Sequence, residues 1–314
     1  MNPPGRHIQI LRPGMLTTVQ DLGRTGYQQY GMPVSGPMDE WSFRLANLLV
    51  GNPPGAACLE ITIAGPSILL QAEGWIAICG ADIQPRLNGE TLENHRAYRV
   101  KTGDTLSTGF AAMGCRSYIA FSGGIDVPMV MGSRATYLTG KTGGYEGRAL
   151  KEGDVIPLGE EEKKPFSGTL PPEVKNIPFA PGPVRLLPGP ETDSLDLEAL
   201  KNLLNSTFTI SPNSNRMGYR LEGAAVKPKP EKSNIVSAPV TMGTIQAPAG
   251  GQPLILMADR QTTGGYPRIA LVATIDLPRV GQLKPGDTIT FEEIGLEIAQ
   301  RLLKERMRLL GKLH

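Results

Sequence analysis

Three histidines, His7, His95 and His314, are all that the 314 residues contain, and none stands in a polar cluster. A histidine-based nucleophile triad or a histidine-ligated zinc centre has little to be built from. Cysteine is as scarce. Cys58, Cys79 and Cys115 are odd in number, far apart and set in apolar sequence such as Ile76-Ala77-Ile78-Cys79. They read as buried, inert thiols in a reducing compartment, not as a disulfide framework or metal site. No apolar run approaches the roughly 18 residues that span a bilayer, and the start, MNPPGRHIQILRPG, lacks the charged and then apolar regions of a secretory signal. Charge of one sign is missing too: 32 basic residues face 30 acidic ones, so no basic stripe marks a nucleic-acid or membrane surface. The expectation is a soluble cytoplasmic protein whose partners include neither nucleic acid nor membrane.

What is abundant is turn chemistry. Glycine (38) and proline (28) make about a fifth of the chain, which favours many short strands over long helices. The length exceeds the usual single-core size, so two domains are expected. Strands are predicted at 59–64, 67–70, 75–78, 97–100 and 118–121, with Asn88-Gly89 as a type I′ hairpin turn, and a β-barrel or sandwich follows. A helix is predicted from Asp39, as cap, to Val50, with Trp41, Leu45, Leu48 and Leu49 on its apolar stripe. Further helices are predicted at 194–205, capped near Asp193 or Ser194, and at 292–310. The charge run Glu160 to Lys164 and the prolines after it read as a solvated linker. The domains are then 1–165, a linker at 166–182, and 183–314 with the C-terminal helix.

Three polar clusters stand out. In 243–267 the apolar run Leu254 to Ala258 leads into Asp259-Arg260-Gln261-Thr262-Thr263-Gly264-Gly265-Tyr266-Pro267, a carboxylate, a guanidinium, an amide, hydroxyls, a phenol and a flexible Gly-Gly pair. It reads as a ligand-facing loop; the alternative is a tight turn with Asp259 and Arg260 paired on a solvated surface. The second cluster runs from Ser214 to Gly223, and the third, with Gln20, Asp21 and Arg24 as candidate contacts or, equally, a structural ion pair, spans 19–37. Ala135 to Thr142 loosely fits a phosphate-binding P-loop, but Gly143-Gly144-Tyr145-Glu146-Gly147 is a poor start for the helix that motif needs. An internal echo links the halves: Arg24-Thr-Gly-Tyr27 with Arg216-Met-Gly-Tyr219, Thr142-Gly-Gly-Tyr145 with Thr263-Gly-Gly-Tyr266, and Leu150-Lys-Glu-Gly-Asp154 with Leu283-Lys-Pro-Gly-Asp287. Two related β domains would explain it; ordinary turn chemistry is the alternative, since Lys101-Thr-Gly-Asp104 repeats the last element.

Four segments, QDLGRTGYQQYGMPVSGPMD, SGGIDVPMVMGSRATYL, SNRMGYRLEG and GTIQAPAGGQPLILMADRQTTGGYP, together resemble the family of 5-oxoprolinase C subunits and biotin-dependent carboxyltransferases, also described as allophanate hydrolase subunit 2-like. The resemblance covers essentially the whole chain. It implies a mainly β fold of two cyclophilin-like β-barrels with a few short helices. It also implies work with a B-type subunit (allophanate hydrolase subunit 1-like) and an A-type subunit in ATP-dependent opening of 5-oxoproline to glutamate, as a hydrolase complex in which this chain is inactive alone. The carboxyltransferase alternative uses carboxybiotin on a urea-like amide. No Met-Lys biotin-acceptor dipeptide occurs here, so biotin would come on another protein. A third alternative is a regulatory binder of the B-type subunit, which the family also contains.

Opening a lactam activates an unreactive amide carbonyl, which calls for cations and for donors to an oxyanion. Arg216, Arg220 and Arg260 are the expected clamps. The Gly264 and Gly265 amides, Gln246 and Gln261 are the expected donors. Asp259 is the expected proton relay and Tyr266 the ring cover. Asn215 and Tyr219 flank the clamps, and Asp21 and Arg24 are expected to wall the site from the other domain. ATP is expected to bind with the partner, because no convincing nucleotide loop is present.

Overall fold

A computed structural model describes residues 5–161 and 163–311; Glu162 of the charge run and His314 lie outside the described residues. The protein is mainly β. Its contacts divide it into two compact units, one of 1–24 with 35–178 and one of 25–34 with 179–314.

Unit 1 holds two antiparallel sheets. The first runs Val155–Pro157, His7–Arg12, Ser67–Gln71, Thr105–Ser107, Arg86–Leu87 and Glu90–Thr91; the second runs Leu16–Gln20, Cys58–Thr62, Met113–Phe121, Gly74–Asp82 and Ala97–Val100. Alternation puts Ile8, Ile10, Ile68 and Leu70 of the first sheet in one core cluster with Leu59, Ile61, Ile76, Ile78 and Ile119 of the second, where each buried aliphatic contributes about 1.5–3 kcal/mol. Asn88 and Gly89 take positive φ, 52° and 88°, as the predicted hairpin turn requires. The helix Glu40–Leu49 is capped by Asp39, whose carboxylate accepts from Ser42 N at 3.0 Å, and its predicted stripe is buried. Gly51 ends it at φ +78°.

Unit 2 is built on an eight-stranded sheet in the order Thr288–Ile289, Phe208–Ile210, Gly218–Glu222, Leu254–Leu256, Thr244–Gln246, Arg268–Val272, Val184–Pro188 and Phe291–Glu293. The first and last strands are separated in the chain by Thr290 alone, so the sheet curls into a nearly closed barrel.

Three expectations change. The C-terminal helix starts at Leu296, not at 292: Phe291 is buried, and Phe291–Glu293 pairs in parallel with Val184–Leu186 before Gly295 releases the chain into Leu296–Gly311. The helix predicted from 194 is Leu197–Asn205, and its cap is Asp196, which accepts from Ala199 N at 2.8 Å. Thr192–Ser194 forms a separate 3-10 turn. The stretch read as a solvated linker packs on unit 1 as far as Pro178. Leu170 and Val174 are buried, and the Trp41 indole donates to Val174 O at 2.8 Å; two apolar side chains among the prolines suffice to dock it. The three cysteines are buried and free.

Candidate functional site

The strand Leu254–Leu256 pairs with Gly218–Glu222, Leu256 opposite Gly218. The pairing continues past the strand ends through Met257 N to Met217 O (3.0 Å) and Asp259 N to Arg216 O (2.8 Å). Two of the polar clusters are thereby brought together with Arg216 facing Asp259. Arg216 Nε and Nη2 donate to Asp259 Oδ2 and Oδ1, each at 2.9 Å, and both residues are buried, 5% and 3% exposed. The guanidinium expected to clamp a substrate spends its fork on the carboxylate expected to relay a proton. Such a pair holds the root of the loop, because a charge left alone at this depth costs several kcal/mol.

Arg260 is in a different state. It is half-buried, and among the described residues its side chain reaches only two carbonyls at long range, Val240 O and Met257 O, both 3.4 Å. Among the described residues it makes no ion pair. Burial pushes its guanidinium below the ordinary value, with Asp259 opposing. A partly desolvated cation without a carboxylate partner is where an anion gains most. Arg220, by contrast, is exposed, and its backbone N donates to Ser214 Oγ.

The rest of the loop is a short β-ladder that sequence patterning missed. Ala238 and Pro239 pair with Gly264 and Thr263, Val240 N donates to Thr262 O, and Ile235 N donates to Gly265 O. The only signal was the Ile235 to Val240 stretch, too short to read as a strand. Gln246 is fully buried and donates from Nε2 to Tyr266 O at 3.1 Å. Gly264 packs on that amide so closely that a Cβ would collide with it. The expected oxyanion donor Gln246 is therefore a loop anchor, its N–H turned to the main chain. Tyr266 is 43% exposed and Gln261 half-buried, while Asn215 is exposed, its Oδ1 accepting from Met217 N, and Tyr219 is buried.

Asp21 and Arg24 belong to unit 1. Asp21 accepts from Gly23 N (2.8 Å), Ser133 Oγ (2.6 Å) and Arg134 N (2.5 Å), and Arg24, 1% exposed, donates to Ala135 O. Both are engaged by the 133–135 segment. The P-loop-like stretch closes as a turn, Tyr137 and Thr142 exchanging backbone hydrogen bonds, with no helix after it.

Residues 30–293 match the family described as carboxyltransferase domain, subdomain A and B. The chain belongs to this family. It is 39% identical over 301 residues to the C subunit of the Escherichia coli 5-oxoprolinase, covering 96% of each chain. It is also 39% identical over 324 residues to the urea amidolyase of Lachancea kluyveri, covering 94% of this chain and 17% of that one. The crystal structure of the Kluyveromyces lactis urea carboxylase superposes on all of this chain and 30% of that one with a TM-score of 0.91 at 34% identity. The chain thus spans under a third of these large relatives but nearly all of the bacterial 5-oxoprolinase component.

Proposed function

We propose that this chain is the C-type component of an ATP-dependent 5-oxoprolinase, acting with A-type and B-type subunits to open 5-oxoproline to L-glutamate. The observation that carries the reading is the 39% identity over 96% of both chains with a protein named as the 5-oxoprolinase C subunit. The site suits it. Arg260, a half-buried guanidinium without a carboxylate partner, takes the substrate carboxylate; Gln261 and the exposed Tyr266 and Arg220 line its approach. Asp259 acts as the buttress of this loop through Arg216, not as a proton relay. The Ala135–Thr142 turn does not fit a nucleotide: no helix N-terminus follows it, and its Tyr137 and Thr142 amides each donate to the other's carbonyl. No step on this chain is routed through ATP, which binds with the partner. Free, buried thiols suit a reducing compartment such as the cytoplasm.

The second reading, transfer of carboxyl from carboxybiotin to a urea-like amide, is favoured by the equal identity to urea amidolyase. Steady-state ATP hydrolysis, measured for the chain, its partners and the mixture with 5-oxoproline or urea, separates the two. The expected result is 5-oxoproline-dependent turnover only in the mixture, reduced at least about tenfold in kcat/KM by Arg260→Lys, which keeps the charge and loses the fork. Turnover with urea alone favours the carboxyltransferase; full activity in the partners without this chain moves it to the regulatory class.

A further inference from the structure

Away from the polar loop, unit 1 carries a cavity of about 520 Å³ lined by Trp75, Arg99, Glu161, Lys163, Lys164 and Pro165, among others. Its size falls in the roughly 300–1,000 Å³ range of small-molecule sites. One wall is the half-buried indole of Trp75. Arg99, opposite Trp75 on the neighbouring strand, holds its guanidinium carbon 5.8 Å from the ring centre, and its contact with Glu73 is a loose one at 3.7 Å between exposed groups. The segment carrying Lys163 and Lys164 lines the same cavity.

Exposed lysines are ordinarily just solvated, but here the backbone that presents them is fixed on both sides. Glu161 is held by Arg6 at 3.1 Å and by Ser122 Oγ at 2.7 Å. Phe166 N donates to Leu49 O at 3.0 Å. Between them the Lys163 and Lys164 carbonyls lie so close to Gly51 that a Cβ there would come within 2.5 Å of Lys164 O. Arg6 pairs with Glu161, the one carboxylate that lines the cavity among the described residues. The Lys163 and Lys164 side chains make no hydrogen bond or ion pair among the described residues, so no described carboxylate is paired with either ammonium group beside the Trp75 ring. A π face next to two ammonium groups complements a ligand with a planar ring and an attached polyanion.

We propose that this cavity binds a ring-bearing organic phosphate, a nucleoside phosphate in its commonest form, with the ring against Trp75 and the phosphate between Lys163 and Lys164. It rests on no part of the catalytic reading above: every residue is in unit 1, and binding is read without turnover.

The test uses the emission of the full chain. Of its two tryptophans, Trp41 is 4% exposed and bonded to Val174 O, so a ligand in the cavity acts on Trp75. Titration with ADP is expected to quench the emission saturably, with inorganic phosphate and adenosine each at least about tenfold weaker. Lys163→Ala with Lys164→Ala is expected to weaken ADP at least about tenfold at unchanged thermal midpoint, since neither side chain holds the fold. Trp75→Leu, followed by calorimetry, is expected to lose the preference for ADP over phosphate. Absence of saturable binding at millimolar ADP, unchanged affinity in the double lysine variant, or phosphate binding as tightly as ADP would each overturn the proposal.

Discussion

In unit 1, Gly143 and Gly144 of a Thr-Gly-Gly-Tyr run both take positive φ, 68° and 55°, and Tyr145 packs on the core with Arg148 over its ring at 5.2 Å. In unit 2, neither glycine of the same run takes a left-handed φ: Gly264 lies in a strand opposite Ala238, and Tyr266 stands 43% exposed. The arginine echo diverges in the same way. Arg24 donates to the Ala135 carbonyl, while Arg216 forks onto the Asp259 carboxylate. In unit 1 the repeated letters close an interior turn, and in unit 2 they raise a polar loop on a charged foot. The two Gly-Gly runs thus differ in backbone conformation, because their surroundings set φ. The Lys-x-Gly-Asp turns do agree: Lys101, Lys151 and Lys284 each donate from N to the aspartate three residues on, at 2.7, 2.7 and 3.0 Å. Two of these three lie in unit 1, so the agreement reflects turn chemistry and not only a repeat.

The largest expected effect is on the charged foot of unit 2. Asp259→Ala leaves the Arg216 guanidinium buried without its carboxylate and is expected to destabilise by about 3–5 kcal/mol. Replacing both, Asp259→Leu with Arg216→Met, is expected to recover most of the loss, since no stranded charge remains. Urea midpoints at constant m check both, and a double variant as unstable as the single would show that the pair is not the foot of the loop.

The next effect separates the units by pH. Burial pushes His95 down to about 4, with Lys175 adding to the shift; the ring instead accepts weakly from Gly80 N at 3.5 Å. In the unfolded chain this histidine titrates near 6.5. Between pH 6.5 and 4 the unfolded state binds the extra proton, so stability is full above 6.5 and falls with acid by up to about 3 kcal/mol. The described residues of unit 2 hold no histidine. Its Asp276 is shifted downward: burial acts to raise it, but hydrogen bonds and charge from Arg185 outweigh that. A lowered carboxylate contributes stability above its unfolded value and loses it only below about pH 4. Both tryptophans lie in unit 1, so their emission is expected to report an earlier acid weakening there, flattened by His95→Asn, which tolerates the positive φ of 64° at this site.

Much of this was legible along the chain. Short apolar runs between turn signals located five of the unit 1 strands, though not His7–Arg12, Leu16–Gln20, Thr105–Ser107 or Val155–Pro157, and Asp39 with its apolar stripe announced the helix Glu40–Leu49, because both signals are local. The clusters around Arg216 and Asp259 were visible as clusters, and the structure does bring them together. Their roles were not legible: which guanidinium is free and which is spent depends on the pairing of two strands about 40 residues apart, and a residue list does not show burial. The same reason hid the parallel pairing that takes Glu292 and Glu293 out of the C-terminal helix, and the apolar contacts that dock 166–178.

The smallest effects bear directly on the two Gly-Gly turns. At Gly143 a methyl group would collide with the Ala135 carbonyl and the Arg24 guanidinium while the backbone stays at φ +68°. Both the strain and the displacement of Arg24 act on the interior, so Gly143→Ala is expected to cost about 1–3 kcal/mol. At Gly265 no left-handed φ is required, and the added methyl would meet Ile235 O and Ser237 Oγ at 3.6 Å each, ordinary contact distance. Gly265→Ala should then change stability by no more than about 0.5 kcal/mol, with any loss of backbone freedom in the unfolded chain acting in its favour. Thermal midpoints of the two variants, made in the same background, give the contrast directly. Equal losses would mean that the two runs share one backbone after all. A silent Gly265→Ala that nevertheless lowered turnover of the assembled complex would place the 261–266 ladder at the site of function, because stability alone could not explain it.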